Sequence, residues 1–448
     1  MIFYNILNSI IKFKTSGIES VLMSIREEEI EKVFAGHTRR RRIYDVVSLL
    51  RVFMCQTGTH GSCREAIARG VQQGWLPVTT SPGTSAYCNA RIRLPEEGLR
   101  MLALRTGTLL EDELRGRWFF QDRQVKVIDG SSVQLPDTPE NQAEYPQPAG
   151  QKKGCGFPVM SISVLMGLDS GGIIDVETTS GTGYEHPMFR ELWRSLKKGD
   201  IVLGDAGYGS YAEIARLTEM GIDCVFKKGI RKFKPKEAVR IGDGEWLQTW
   251  DRPSSPGEWI DKDHLRESIT VRVIRAVVGR KGYRCRKITL ITTLLDPDKY
   301  PKAKLVELYQ RRWEMELRFR DIKTTMKLEM LRCKTPSGCR KELWVGLLLY
   351  NIIRSLMLDA AIRHKISVSR ISYAGTLAGF NETCVGILVR VDPLLAYEVL
   401  IRSIADCQNP YRPERIEPRK LKRRPKNYRL LMLPRELERR LLKIGNTT

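Results

Sequence analysis

The stretch LYQRRWEMELRFRDIKTTMKLEML, residues 308–331, has the residue pattern of a single amphipathic helix. Its apolar residues recur at helical spacing and form one stripe, made of Leu308, Met315, Phe319, Ile322 and Met326. At about 100° per residue a second group falls within roughly 60° on the helical wheel, made of Tyr309, Arg312, Glu316 and Lys323. One carboxylate therefore shares a helix face with two cations and a phenol. That face suits a site that binds a metal ion and a phosphate, and it also suits a surface helix with salt bridges.

The composition of the chain is strongly basic. Its 448 residues include 75 Lys plus Arg against 52 Asp plus Glu, which gives a formal net charge of +23. An excess of this size attracts polyanions, and nucleic acid is the most common of them. The length allows two or three domains, and the 42% of apolar residues are enough for a substantial core.

The ten cysteines and five histidines are scattered along the chain, and no C-x2-C pair occurs. This pattern argues against a zinc site and predicts free thiols in a reducing cytoplasm. No segment has 18 consecutive apolar residues, so we predict no membrane-spanning helix. Together these features predict a cytoplasmic protein that associates with the nucleoid.

Residues 1–118 have helical patterns and are predicted to form a helical N-terminal DNA-binding domain. A run from Arg39 to Arg42 precedes an apolar helix, and SPGTSAYCNARIRLP is a turn followed by a short helix with Arg91 and Arg93. This order is compatible with a helix-turn-helix-like module in which Arg91 and Arg93 read bases. A packing domain with solvated arginines would give the same pattern.

From residue 119 the period of the sequence becomes that of strands. VKVIDGSSVQL (125–135) predicts a strand, and FPVMSISVLMGL with IIDVETT predicts a hairpin around the turn DSGG. A helix and the short buried strand IVLGD (201–205) follow. This order predicts an α/β, ribonuclease-H-like catalytic domain over residues 119–375.

Two further segments complete the predicted organisation. Residues 229–290 are rich in turns and strands and predict an all-β insertion in the catalytic domain. Residues 376–448 predict a helical, basic C-terminal region for DNA binding or dimerisation. Its densest part, RKLKRRPKNYR (419–429), suits an extended tail along phosphates or a disordered solubilising tail.

Three carboxylates occupy positions that a ribonuclease-H-like sheet could bring together. Asp129 lies at the first strand, Asp205 ends the fourth, and Glu316 is on the late helix that would pack across their edge. Oxygen ligands without nearby Cys or His favour Mg²⁺ or Mn²⁺, and two such ions about 3.5–4 Å apart support phosphodiester chemistry. Taken singly, each aspartate could instead be a turn residue, since Asp129 precedes Gly130 and Asp205 begins a glycine-rich loop.

The helix residues Tyr309, Arg312, Glu316 and Lys323 fit the pattern Y-x2-R-x3-E-x6-K. This pattern resembles the signature of bacterial transposases of the insertion sequence four family, which is a DDE family. The resemblance extends to VIDGSSVQL around Asp129 and to VLGDAGYGSY around Asp205. With the β insertion it covers about residues 120–330, and the flanks only loosely.

The resemblance implies a transposase that binds the terminal inverted repeats of its own element as a synapsed homodimer. Two Mg²⁺ or Mn²⁺ ions, held by Asp129, Asp205 and Glu316, would support strand cleavage, hairpin formation at the ends and strand transfer into target DNA. Arg312 and Lys323 would hold DNA phosphates, and Tyr309 would contact a phosphate or the region of a flipped base.

The resemblance also implies an aromatic residue that stacks on an extruded base. The candidates in the predicted insertion are Trp246, Trp250 and Trp259, with Trp313 of the signature as a further one. Core packing is the alternative role for each of these tryptophans.

Two other functions remain open at the level of sequence. A ribonuclease-H-like nuclease directed by DNA structure would cleave junctions without needing terminal repeats. An inactive DNA-binding derivative of a transposase would bind DNA with a steep salt dependence and would not cut it.

Overall fold

The computed structural model describes residues 26–35, 43–114, 120, 123–181, 185–228, 238–255, 259–260, 265–279, 286–386, 393–411 and 431–445. Two basic segments of the sequence, residues 39–42 and 419–429, lie outside the described residues.

The α-helices are α1 (Glu27–Val33), α2 (Val46–Thr59), α3 (Cys63–Gln72), α4 (Thr84–Arg93), α5 (Glu96–Glu113), α6 (Pro139–Glu144), α7 (Glu185–Glu191), α8 (Tyr211–Glu219), α9 (Lys302–Arg311), α10 (Trp313–Arg320), α11 (Pro336–His364), α12 (Tyr373–Gly386), α13 (Pro393–Asp406) and α14 (Arg435–Gly445). The strands are β1 (Val125–Gln134), β2 (Val159–Gly167), β3 (Ile173–Ser180), β4 (Ile201–Gly204), β5 (Asp223–Lys227), β6 (Val239–Gly242), β7 (Glu245–Asp251), β8 (Ser268–Val278) and β9 (Arg286–Thr292). Short 3-10 helices span Leu192–Ser195, Ala206–Tyr208 and Val368–Arg370, and a π-helix spans Asp321–Thr325.

The nine strands of the described residues form one sheet in the order β3-β2-β1-β4-β5-β9-β8-β7-β6. β1, β4 and β5 are parallel, whereas β2 runs antiparallel to both β1 and β3. The first and fourth strands are neighbours, as predicted, because Val125 pairs with Ile201 and Val127 pairs with Leu203. This mixed α/β arrangement agrees with the predicted ribonuclease-H-like domain.

The strands of the predicted insertion do not form a sheet of their own. β9 pairs antiparallel with β5, and β8, β7 and β6 follow in turn, so that these strands extend the central sheet. The open edge of β5 carries backbone groups that need hydrogen-bond partners, and β9 supplies them. Part of the segment, including residues 229–237, lies outside the described residues, and the bounds of an insertion stay a prediction.

Alternating side chains of β1 and β4 contribute to two hydrophobic cores, which lie on opposite faces of the sheet. Val127 and Leu203 belong to the larger core, which also takes in the N-terminal helices, α9, α10 and α11. Ile128 and Val202 belong to the smaller core, which α7 and α8 cover. The N-terminal helices thus share a core with the sheet, and the domain boundaries near residues 118 and 375 stay predictions.

The long helix α11 is the central element of the larger core. By length and composition it could cross a membrane, but 94% of its most apolar window is buried inside the protein. The helix is therefore a core element, with its apolar residues packed inside the protein. Its fully buried Asn351 fastens it to the sheet and to α5, since Oδ1 accepts from the Ile173 amide at 2.9 Å and Nδ2 donates to the Ala103 carbonyl at 2.9 Å.

The segment that was predicted as one helix over residues 308–331 is divided into three parts, which corrects that prediction. α9 ends at Arg311 and α10 begins at Trp313, and between them the Arg312 amide bonds to the Tyr309 carbonyl, three residues back. After α10 the π-helix widens the turn. At its end the Met326 amide donates a hydrogen bond to the Asp321 carbonyl, five residues back.

The end of this segment is not helical, because it pairs with the open end of β1. The Gln134 amide donates to the Glu329 carbonyl at 2.8 Å, and the Leu331 amide donates to the Gln134 carbonyl at 2.9 Å. Lys327, with a φ of 55°, makes the turn out of the helix. The predicted apolar stripe is nevertheless confirmed, since all five of its residues are buried, with 8% exposure or less.

Candidate active site

One open cavity of about 440 Å³ lies where the middle of β1 and the end of β4 meet α10 and the π-helix. Its lining contains five of the predicted site residues, namely Asp129, Asp205, Arg312, Glu316 and Lys323. The other lining residues are Gly130, Ser131, Phe319, Arg320, Thr324 and Glu329. The structure therefore brings the three predicted carboxylates to one cavity, together with three cations and a fourth carboxylate, Glu329.

The pairing of the parallel strands places the two aspartates. The register that joins Val127 to Leu203, continued by two residues, brings Asp129 level with Asp205. Since side chains alternate along a strand, both aspartates project to the face of the larger core, where α10 lies. Backbone amides orient both carboxylates: Asp129 Oδ1 accepts from Gly130 at 2.9 Å and Asp205 Oδ1 accepts from Gly207 at 2.7 Å.

Arg312 links the signature segment to the sheet through its guanidinium group. Its Nη1 donates to Asp129 Oδ2 at 3.1 Å, and its Nη2 lies 3.6 Å from Glu316 Oε1. One arginine is thus in contact with two of the three carboxylates. Farther along, the π-helix turns Lys323 toward β1, where its Nζ lies 3.4 Å from Ser131 Oγ.

A partly buried group of ion pairs, which sequence reasoning missed, fixes α10 against the turn after β2. Arg318 is 6% exposed and donates to the Gly167 and Leu168 carbonyls at 3.1 and 2.8 Å. It also pairs with Glu314 at 2.8 Å, and Arg311 joins Glu314 at 3.0 Å. The spacing of three and four residues around Glu314 was the available signal, because such residues are neighbours on a helix.

The electrostatics of the cavity reflect the closeness of its carboxylates. Burial raises the pKa of the Asp129 carboxyl to about 6, Arg312 opposes this effect, and the charges of Asp205 and Glu316 add to it. Burial also raises the pKa of the Tyr309 phenol to about 12. The phenol of Tyr309 therefore stays protonated at neutral pH and can donate a hydrogen bond.

The donor set of the cavity fits a hard divalent cation, because only oxygen ligands are offered. Within the described parts of the chain, however, no three Asp, Glu, His or Cys side chains are close enough to hold one ion together. The cause is visible in the contacts, since Asp129 and Glu316 face Arg312 while Asp205 accepts from Gly207. The residues fit Mg²⁺ or Mn²⁺ in chemistry and would have to turn toward it.

The three tryptophans of the predicted insertion do not line this cavity. Trp246 and Trp250 are half-buried on β7, pack against the smaller core and have Arg275 and Lys228 over their rings. Trp259 is 36% exposed and lies against Trp193. Trp313, beside Arg312 at the start of α10, is 52% exposed, and stacking on a base stays a prediction for all four.

The arginines that were predicted to read bases have different surroundings. Arg91 is turned into the N-terminal helices, where its guanidinium carbon lies 5.0 and 4.9 Å from the ring centroids of Phe53 and Tyr87. Its Nη1 donates to Gln56 at 3.2 Å. Arg93, two residues later, is exposed and accessible to a ligand. Base reading by either residue stays a prediction, and Arg91 would have to leave these contacts first.

Comparison with known proteins gives two further findings. The family model described as "Transposase DDE domain" matches residues 120–352, which include all three carboxylates and the signature segment. The chain is also 28% identical over 359 residues to the Transposase InsG for insertion sequence element IS4 from Escherichia coli (strain K12), and the alignment covers 77% of each protein.

Proposed function

Because the chain belongs to the transposase DDE domain family, we propose that it binds the terminal inverted repeats of an insertion sequence and catalyses metal-dependent cleavage and transfer of the DNA strands at those ends. The resemblance to transposases of the insertion sequence four family is confirmed, and with it the enzyme class, a DDE transposase.

A single observation carries the proposal: Asp129, Asp205 and Glu316, from three distant parts of the sequence, line one cavity. Carboxylates that crowd together repel one another unless a cation neutralises them, so their grouping is costly for a merely structural role. DDE transposases generally use divalent metal ions. We assign the three residues as the catalytic carboxylates and as the ligands of two Mg²⁺ or Mn²⁺ ions.

When bound, the ions would promote the deprotonation of a water molecule or a 3′-hydroxyl and neutralise charge on the leaving oxygen. The protein's own groups would position the DNA. Arg312 and Lys323 are on the cavity wall and would contact phosphates of the strand to be cut. Tyr309 is 8% exposed and is not part of the lining, so its protonated phenol would have to become accessible before it donates to a phosphate oxygen. The open shape of the cavity suits a polymer that passes through rather than a small enclosed ligand.

The same proposal extends to steps and partners beyond the cavity. The liberated 3′-hydroxyl would attack the opposite strand to form a hairpin end and, after reopening, would join target DNA. Trp246, Trp250 or Trp259 would stack an extruded base, with Arg91 and Arg93 in a DNA-binding N-terminal domain and the basic C-terminal region contacting DNA or a second subunit. We propose a synapsed homodimer that works on the nucleoid in the cytoplasm.

The decisive experiment compares Glu316→Gln with the wild-type protein on a labelled duplex that carries the element's own end. That end can be found as short inverted repeats around the reading frame, bounded by direct duplications of the target. We expect the variant to bind the duplex normally and to lose Mg²⁺-dependent nicking by at least about 100-fold, as for removal of a group that acts in the transition state. Glu307→Gln, at a 65% exposed position on α9, is the control and should cleave normally.

Other outcomes would replace the proposal by one of its alternatives. Cleavage of a scrambled end as fast as of the true end would identify a nuclease directed by structure. Tight, salt-dependent binding without cleavage by the wild-type protein would identify an inactive DNA-binding derivative. Near-wild-type cleavage by Glu316→Gln would remove Glu316 from the chemistry.

A further inference from the structure

We propose that Arg312 is a latch on the catalytic carboxylates. It holds Asp129 and Glu316 in an arrangement that binds divalent metal weakly, and it releases them when it binds a DNA phosphate in place of the two carboxylates. The inference rests on the proposed function, in which these carboxylates hold the metal ions. It adds a reason for metal and DNA to bind together.

The contacts of Arg312 are those of a cation in the middle of an acidic site. Its guanidinium group donates to Asp129 at 3.1 Å and lies 3.6 Å from Glu316, and its side chain is only 17% exposed. Asp129 is similarly enclosed, with a side-chain exposure of 20%. A planar guanidinium group can reach two carboxylates at once, which a point charge such as an ammonium group cannot do as well.

This arrangement and a bound ion compete for the same oxygens. A hydrogen bond from Arg312 occupies a lone pair of Asp129 that an ion would need, and its positive charge repels the ion. The side chains of the described residues accordingly hold no group of three potential ligands close enough for one ion. Entry of the metal therefore requires Arg312 to move away from the carboxylates.

Not every N–H group of the Arg312 guanidinium has a good hydrogen-bond acceptor in this position, so a better set of acceptors could draw Arg312 away from the carboxylates. Its buried Nε and the buried Tyr309 hydroxyl make no well-directed hydrogen bond, although the two side chains lie close enough for the Arg312 guanidinium group to lower the pKa of the phenol against the effect of burial. A phosphate group offers several acceptors and could accept bonds from Nε and one Nη together. Arg312 lies at the junction of α9 and α10, where the regular helical hydrogen-bond pattern is interrupted.

The charges on the cavity wall couple the binding of metal to the binding of phosphate. Its lining includes the carboxylates of Asp129, Asp205, Glu316 and Glu329 and the cations of Arg312, Arg320 and Lys323. With the carboxylates ionised and no metal, the wall is slightly acidic and repels phosphate, whereas divalent ions make it basic. Each ligand thus favours the state that the other needs, and such coupling is reciprocal by thermodynamic linkage.

The test measures Mn²⁺ binding in the absence of DNA, by electron paramagnetic resonance of the free ion. We expect Arg312→Gln to bind Mn²⁺ about tenfold more tightly than wild type, or better, because a charge-assisted hydrogen bond no longer competes. Arg320→Gln is the matched control, since it removes a positive charge from the same wall without a contact to the three carboxylates. Its effect should be about fivefold or less, as for a screened surface charge.

Equal effects of the two substitutions, or weaker binding by Arg312→Gln, would overturn the latch. Arg312→Lys guards against a variant that fails to fold, because it keeps the charge but cannot span both carboxylates; we expect it to fall between wild type and Arg312→Gln. Glu316→Gln separates this inference from the proposed function. If Glu316→Gln binds Mn²⁺ as well as the wild-type protein does, the assignment of the metal site is wrong. If Glu316→Gln loses Mn²⁺ binding but Arg312→Gln has the wild-type affinity, only the latch is refuted.

Discussion

Asp129 in the middle of β1 and Asp205 directly after β4 line the same cavity, each two residues beyond the pairing of Val127 with Leu203 in these adjacent parallel strands. The alternation of side chains sends both to the same face of the sheet, so the backbone fixes their separation. Such a pair is sensitive to the length of its side chains, and not only to their charge.

The first prediction uses this sensitivity. Asp129→Glu and Asp205→Glu keep the charge but displace the carboxylate by one methylene group, so we expect end cleavage to fall by about 100-fold, as for a misplacement of roughly 1 Å. Binding of the end duplex should be unchanged in a gel-shift assay. A glutamate variant that cleaves at the wild-type rate would mean that the level arrangement of the two aspartates is not used in catalysis.

Sequence reasoning located the parts of this site that depend on local pattern. The apolar stripe of the signature segment, the strands that carry Asp129 and Asp205, and the neighbouring positions of those strands all follow from periodicity and strand order. The interruption at Arg312 and the pairing of Glu329 with Gln134 could not be foreseen. The pairing of Glu329 with Gln134 joins segments far apart in the chain, and Arg312 likewise contacts the distant Asp129, so helical periodicity does not reveal either feature.

The second prediction concerns the anchoring of α10. Arg318→Ala leaves the Gly167 and Leu168 carbonyls and Glu314 without this partner, so we expect the free energy of unfolding to fall by about 3 kcal/mol. Arg320→Ala, at a side chain with 64% exposure, should change it by less than about 0.5 kcal/mol. Urea unfolding of the two variants measures the difference, and equal stabilities would show that the buried contacts of Arg318 contribute little.

The third prediction separates stacking from packing among the tryptophans. Trp313 is 52% exposed, so Trp313→Ala should leave stability within about 0.5 kcal/mol of wild type. If its ring supports an extruded base, cleavage should fall by a factor that corresponds to about 1–3 kcal/mol. Trp246→Ala should instead destabilise the fold, because Trp246 packs against the smaller core. If instead Trp313→Ala lowers the melting temperature and Trp246→Ala lowers only cleavage, Trp313 is the packing residue and Trp246 the stacking residue.

The fourth prediction is a dependence of stability on pH that originates outside the cavity lining, at Glu111 of α5. Burial raises the pKa of its carboxyl to about 7, a hydrogen bond from Ser170 opposes this, and Oε2 has no hydrogen-bond partner among the described residues. The unfolded chain releases the proton near the ordinary pKa of 4.5, so wild-type stability should fall as the pH rises from about 4.5 to about 7. Glu111→Gln removes this loss, and at pH 8 it should be more stable than wild type by up to about 3 kcal/mol.

At pH 4 the two proteins should unfold at the same urea concentration. An advantage of the variant that stays constant across this range would show that Glu111 does not titrate between the folded and unfolded states.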